Sequence, residues 1–187
     1  MRYLKKFENY SEPQTLIDII FGSPNHQILK KAILACGLEK TLAGEFTVFA
    51  PTDYAFKKLP QGTLESLLSD TEALTDILLY HLVPVKANAA PYRLTLLHSV
   101  SPSLRGAQLI KTSQGDKLMI EIDGQEVFVN NMPSMKSNSG ELVTNAKVET
   151  ADLEATNGVV HVIDTVLMPF TKQSKIAGAE DYHRSNY

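Results

Sequence analysis

The sequence predicts an α+β fold, and a change of period along the chain is what predicts it. From Leu16 to about Val83 apolar residues recur at the 3.6-residue spacing of helices, whereas from Leu118 to Met168 they alternate at the two-residue spacing of strands. One short run, Phe46-Thr47-Val48-Phe49-Ala50, interrupts the helical half with the β-branched and aromatic content of a strand. The 187 residues, 43% hydrophobic and 21% charged, suit one folded domain with appendages and exclude a disordered or fibrous chain.

The elements follow from local signals. Ser11-Glu12-Pro13-Gln14 combines an S-x-x-Q capping box with a proline at the first helical position, ahead of Leu16, Ile17, Ile19 and Ile20. Ser23-Pro24 opens a second helix with Ile28, Leu29, Ala32, Ile33 and Cys36 on its buried stripe, and Gly37 stops it. The strand Phe46–Ala50 ends at Pro51, and Thr52-Asp53 starts a turn or helix. Thr63 and Asp70 are N-cap candidates for two more helices. The second of these places Leu74, Ile77, Leu78 and His81 on one face, and Pro84 stops it near Val83. Lys86 to Gly106, with Pro91 and Pro102, is expected to be an irregular connection.

In the later half Leu118, Ile120 and Ile122 alternate, Asp123-Gly124 offers a type I′ turn, and Val127-Phe128-Val129 returns as the second strand of a hairpin. Residues 131–141 read as a polar loop, Leu142–Thr150 and Val159–Met168 as strands, and Asn157-Gly158 as the turn into the last one. The organisation expected is an N-terminal extension over 1–10, one domain over 11–170 and a mobile polar tail over 171–187.

Composition narrows the function. Eighteen Lys and Arg against 21 Asp and Glu give none of the basic excess that a phosphate backbone needs, so nucleic acid is excluded as a partner. The single cysteine, Cys36, excludes an internal disulfide and any multi-cysteine metal centre, and its apolar stripe makes it a core residue without chemistry. No stretch reaches the 18 or so apolar residues of a membrane span, and the start lacks the apolar segment of an export signal. His26, His81, His98, His161 and His183 are scattered, without an H-x-x-x-H pair, so no metal and no cofactor is expected. Asp152 and Glu154 read as a solvated edge, and the pairs Lys5-Lys6, Lys30-Lys31 and Lys57-Lys58 as solvated surface.

Three segments carry a family resemblance. The box from Phe46 to Phe56, which contains Ala50-Pro51-Thr52-Asp53, is followed by Tyr80-His81 and then by Ala155-Thr156-Asn157-Gly158-Val159-Val160-His161-Val162-Ile163-Asp164 running on to Pro169. In order and spacing these resemble the two homology boxes and the central Tyr-His motif of fasciclin domains, over about Thr15 to Pro169. The resemblance implies helices packed around a β-wedge or sandwich, and a role in extracellular or cell-surface adhesion. It marks Thr52, Asp53, Tyr80, His81, Asn157, Gly158 and His161 as structural motif residues, and it implies Asp53, or backbone beside it, as the partner of a buried His81. The longer segment 88–105 and the loop 131–141 depart from a compact family member.

A catalytic His-Asp pair needs a positioned nucleophile, and no G-x-S-x-G elbow is present, so no enzyme is expected. Two classes of function remain. One is a binding or adhesion module that meets a protein or a cell-surface glycan. The other is a carrier of an apolar small molecule such as a carotenoid or a lipid, with Tyr92, Leu94, Leu96, Leu97 and Val100 as the candidate ligand groove. Source, oligomeric state and identity of the partner are not legible, and the sequon Asn9-Tyr10-Ser11 does not decide secretion.

Overall fold

Residues 13–84, 108–123, 126–131 and 145–169 are described by a computed structural model. The helices among them are α1 (Leu16–Gly22), α2 (Gln27–Ala35), α3 (Glu39–Leu42), α4 (Asp53–Lys57), α5 (Thr63–Ser69) and α6 (Thr71–Tyr80). The strands are β1 (Phe46–Pro51), β2 (Leu82–Pro84), β3 (Gln108–Lys111), β4 (Lys117–Asp123), β5 (Glu126–Asn131), β6 (Asn145–Ala155) and β7 (Gly158–Ile163). They form one mixed sheet in the order β2-β1-β7-β6-β5-β4-β3, in which only the β1–β7 pair is parallel. The sheet curls until its two edges approach, where the Ser113 N–H donates to the Leu82 carbonyl at 2.7 Å. The architecture is α+β, with the helices against a nearly closed sheet.

The alternation of β1 divides the core. Val48 and Ala50 face the helices and join Leu16, Ile20, Leu29, Leu74 and Ile77. Phe49 faces the other way and joins Tyr80, Ile110, Leu118, Ile120 and Val129 inside the curl. Strands β1 and β7 are buried on both faces, which explains why Gly158-Val159-Val160-His161-Val162-Ile163 is a nearly continuous apolar run.

Several boundaries differ from the sequence reading. The capping box of α1 is Thr15 with Asp18: the Thr15 hydroxyl accepts the Asp18 N–H, and the Asp18 carboxylate accepts the Thr15 N–H at 2.9 Å. Ser11 lies outside the described residues. Helix α2 begins at Gln27, three residues beyond Pro24, and Cys36 is its half-buried C-cap, with Sγ 3.8 Å from the Thr71 carbonyl. Gly62, at φ 81°, takes the N-cap position expected of Thr63, whose N–H closes a turn onto the Pro60 carbonyl. Helix α6 ends at Tyr80, short of Pro84, because Leu82 and Val83 pair with Val48 and Thr47 as β2.

The β4–β5 ladder runs on to Asp123 opposite Glu126, so Asp123 is a strand residue; the connecting residues 124–125 lie outside the described part. Strand β6 continues to Ala155 through a bulge between Val148 and Leu153, beyond the Thr150 end expected of it. Strand β7 stops at Ile163, five residues short of Met168. There the Asp164 carboxylate accepts the Lys147 N–H at 2.8 Å and the Asp164 N–H donates to the Lys147 carbonyl, which ends the regular ladder.

Candidate functional site

The motif residues are placed at the joints between elements. Thr52 caps α4, its hydroxyl accepting the Ala55 N–H at 3.2 Å, and its own N–H donates to the Ile163 carbonyl. Asp53 reaches away from its own helix: its carboxylate accepts the Ile28 N–H at 2.7 Å in the first turn of α2, and its N–H donates to the Asn25 carbonyl.

His81 is buried at the C-terminus of α6. Its Nε2 accepts the Leu167 N–H at 2.9 Å, so the ring proton sits on Nδ1, which donates to the Ile77 carbonyl at 2.8 Å. Both ring nitrogens are thereby satisfied by backbone. The expected Asp53 partnership is corrected: the Asp53 carboxylate serves α2, while Leu167, on the segment after β7, takes its place. Burial depresses the His81 pKa to about 4 against the help of the Ile77 carbonyl, because a charged ring would lose its hydration.

Tyr80 is buried inside the curl, and its hydroxyl donates to the Lys117 carbonyl of β4 at 3.1 Å. The Tyr-His pair thus splits between two joints: His81 ties α6 to the segment after β7, and Tyr80 ties α6 to β4.

The Asn157 side chain ties α1 to the end of α3 and the turn that follows it. Its Oδ1 accepts the Leu16 N–H at 2.9 Å, and its Nδ2 donates to the carbonyls of Leu42 at 2.8 Å and Gly44 at 2.9 Å. Gly158 follows at φ 154°, where an added Cβ would lie 1.9 Å from the Phe46 carbonyl oxygen, so the parallel pairing of β1 and β7 requires glycine here. His161 is fully buried 5.4 Å from the Phe49 ring, and its Nδ1 accepts the Asp152 N–H at 3.1 Å. Asp152 sits at φ 55° in the β6 bulge, so this bond holds a backbone conformation that costs a non-glycine residue energy. The plain solvated edge expected of Asp152 is therefore replaced by a strained bulge locked onto His161.

The hydrogen bonds of these residues build the fold, each tying one element to another. Among the described residues no three His, Cys, Asp or Glu side chains converge as a metal site would require, and no helix is long and apolar enough to cross a membrane. The candidate groove Tyr92, Leu94, Leu96, Leu97 and Val100 lies outside the described residues.

The feature that the sequence reading missed is Tyr54. It lies one residue past the Thr-Asp pair and is 65% exposed, the most exposed large hydrophobic side chain among the described residues. The Lys58 Nζ stands 5.2 Å from its ring centroid and is itself held by Asp164 at 2.8 Å. The signal was available, since the buried face of α4 passes through Ala55 and Phe56 and leaves Tyr54 outside it.

A family model described as the Fasciclin domain matches residues 24–169. Transforming growth factor-beta-induced protein ig-h3 of Sus scrofa is 35% identical over 168 residues, covering 89% of this chain and 21% of that protein. Protein sll1483 of Synechocystis is 35% identical over 159 residues, covering 83% of this chain and 73% of that protein. Cell surface glycolipoprotein MPB83 of Mycobacterium bovis is 35% identical over 126 residues, covering 67% and 44%. The chain spans 21% of the porcine protein's length, and each of these proteins is a relative by similarity.

Proposed function

Because the chain belongs to the fasciclin family, we propose that it is a non-enzymatic binding module that meets a protein partner at the cell surface or in the surrounding matrix, with Tyr54 as its main contact. The observation that carries this reading is the exposure of Tyr54 beside motif residues that are turned inward. An aromatic side chain held in place by a cation over its ring loses little freedom on binding and brings a large contact area, which is why tyrosine is enriched at protein interfaces. The mycobacterial relative is by name a cell surface glycolipoprotein, which supports the location. The inward roles of Asp53, His81 and His161 support the absence of catalysis, since each ring or carboxylate already serves a backbone group.

The test is adhesion of cells to the immobilised chain, wild type against Tyr54→Ala. Loss of about tenfold or more in adhesion, the range of an interface hot spot, with an unchanged melting temperature is expected. Full adhesion by the variant would overturn the assignment of Tyr54. Adhesion that survives protease treatment of the cells and is lost on deglycosylation would overturn the protein partner in favour of a glycan.

A further inference from the structure

We propose that the cleft between α1, the α1–α2 turn and the bulged strand β6 binds a small neutral molecule that carries a hydroxyl or carbonyl oxygen on a compact apolar body. The cleft encloses about 190 Å³. A cavity of about 150 Å³ takes a benzene ring, so the size suits a molecule of roughly six to ten heavy atoms. Its lining combines apolar Ile19, Leu153 and Val160 with polar His26, Thr52, Thr150 and Glu149, the mixture typical of small-molecule sites.

His26 supplies the reason for an oxygen. It is 95% buried, since only 5% of its surface is exposed, and among the described residues its Nε2 makes no hydrogen bond of good geometry, although the Ala50 carbonyl stands beside the ring. A buried polar atom left so costs energy that a ligand can recover. The Asn25 N–H reaches the Ser23 hydroxyl oxygen at 3.3 Å, and that hydroxyl lies 2.7 Å from His26 Nδ1. The hydroxyl keeps a second lone pair beyond the one Asn25 takes, and we assign it as the donor to Nδ1, which places the ring proton on Nε2. Burial lowers the His26 pKa, while the Ala50 carbonyl, Asp53 and Glu149 favour a proton on the ring without overcoming it. The ring is therefore a neutral donor, and the ligand brings the acceptor. The acidic neighbours Asp53 and Glu149 disfavour an anion, so that acceptor is uncharged.

The experiment titrates the chain with cyclohexanone, cyclohexanecarboxylate and cyclohexane, reading the imidazole ¹⁵N signals of His26 and the amides of Thr150 and Val160. Saturable movement of Nε2 and both amides with cyclohexanone is expected. Binding of the carboxylate should be about tenfold weaker or more, and cyclohexane should leave Nε2 unmoved. His26→Phe should abolish the preference for the ketone over the hydrocarbon. Should that variant fail to fold, the Nε2 signal of the wild-type chain decides alone. No saturable shift with cyclohexanone up to its solubility limit, or equal binding of the carboxylate, would overturn the proposal.

Discussion

The Asp53 carboxylate accepts the backbone N–H of Ile28 at 2.7 Å, across 25 residues of sequence. It thereby caps α2, whose own N-cap residue, His26, makes no capping hydrogen bond with its side chain. Adjacent residues of one Thr-Asp pair thus cap two different helices, Thr52 its own and Asp53 its neighbour. A carboxylate at a helix N-terminus gains from the exposed N–H groups and from the helix dipole.

Asp53→Ala should cost about 1–2 kcal/mol, and Asp53→Asn distinctly less, because the amide oxygen still accepts the Ile28 N–H without the charge. Urea denaturation of the three chains checks this. Equal losses for Ala and Asn would show that charge carries the whole contribution.

At the Asn157 joint the two carbonyls of Leu42 and Gly44 require a donor. Asn157→Asp keeps the size and the acceptor for Leu16 but sets a carboxylate oxygen against both carbonyls. It should destabilise by about 2–3 kcal/mol near neutral pH, and part of that loss should return once the carboxyl is protonated. Gly158→Ala should cost about 3 kcal/mol or more, since the clash is with backbone that cannot move without opening the β1–β7 pair. Thermal melts of both variants read these effects.

Stability should fall with acid in two separate windows. The folded pKa of His81, about 4, lies below the unfolded value of about 6.5, so between these values the unfolded chain holds more protons. Stability is therefore complete above about 6.5 and is lost as pH falls toward 4, by about 3 kcal/mol for this residue. His26, also lowered by burial, acts in the same direction. Asp164 is pulled the other way by burial, but the Lys58 ammonium, the Lys147 N–H and the Thr165 hydroxyl prevail and hold its pKa below the usual carboxylate value. Its contribution is present above the unfolded value and is lost only at lower pH, as the folded carboxylate protonates. Denaturation midpoints measured across pH 7 to 3 should show the histidine-driven slope first. A profile flat between 6.5 and 4 would contradict it.

The α+β class, the helices containing Leu29 and Leu74, strand β1, the β4–β5 hairpin and the Asn157-Gly158 turn were legible because each rests on local periodicity or turn chemistry. The buried place of His81 was legible from its phase with Leu74, Ile77 and Leu78. Its partner was not, because Leu167 lies 86 residues away and no local pattern links them. Strand β2 was hidden for a similar reason. Leu82 and Val83 continue an apolar helical stripe, and only pairing with β1 turns them into a strand. Thr52 and Asp53 look alike as caps in sequence, and tertiary packing alone sends Asp53 to a second helix.

The Tyr80-His81 motif is interior scaffolding, and the proposed recognition is assigned to the exposed Tyr54. The most direct test is an NMR titration of the His81 imidazole in the native chain. The expected result is a neutral ring protonated at Nδ1, with Nε2 bonded to the Leu167 N–H and no protonation until pH approaches about 4. Titration near 6.5, the value of an exposed histidine, would contradict it and make His81 a surface residue available to a partner.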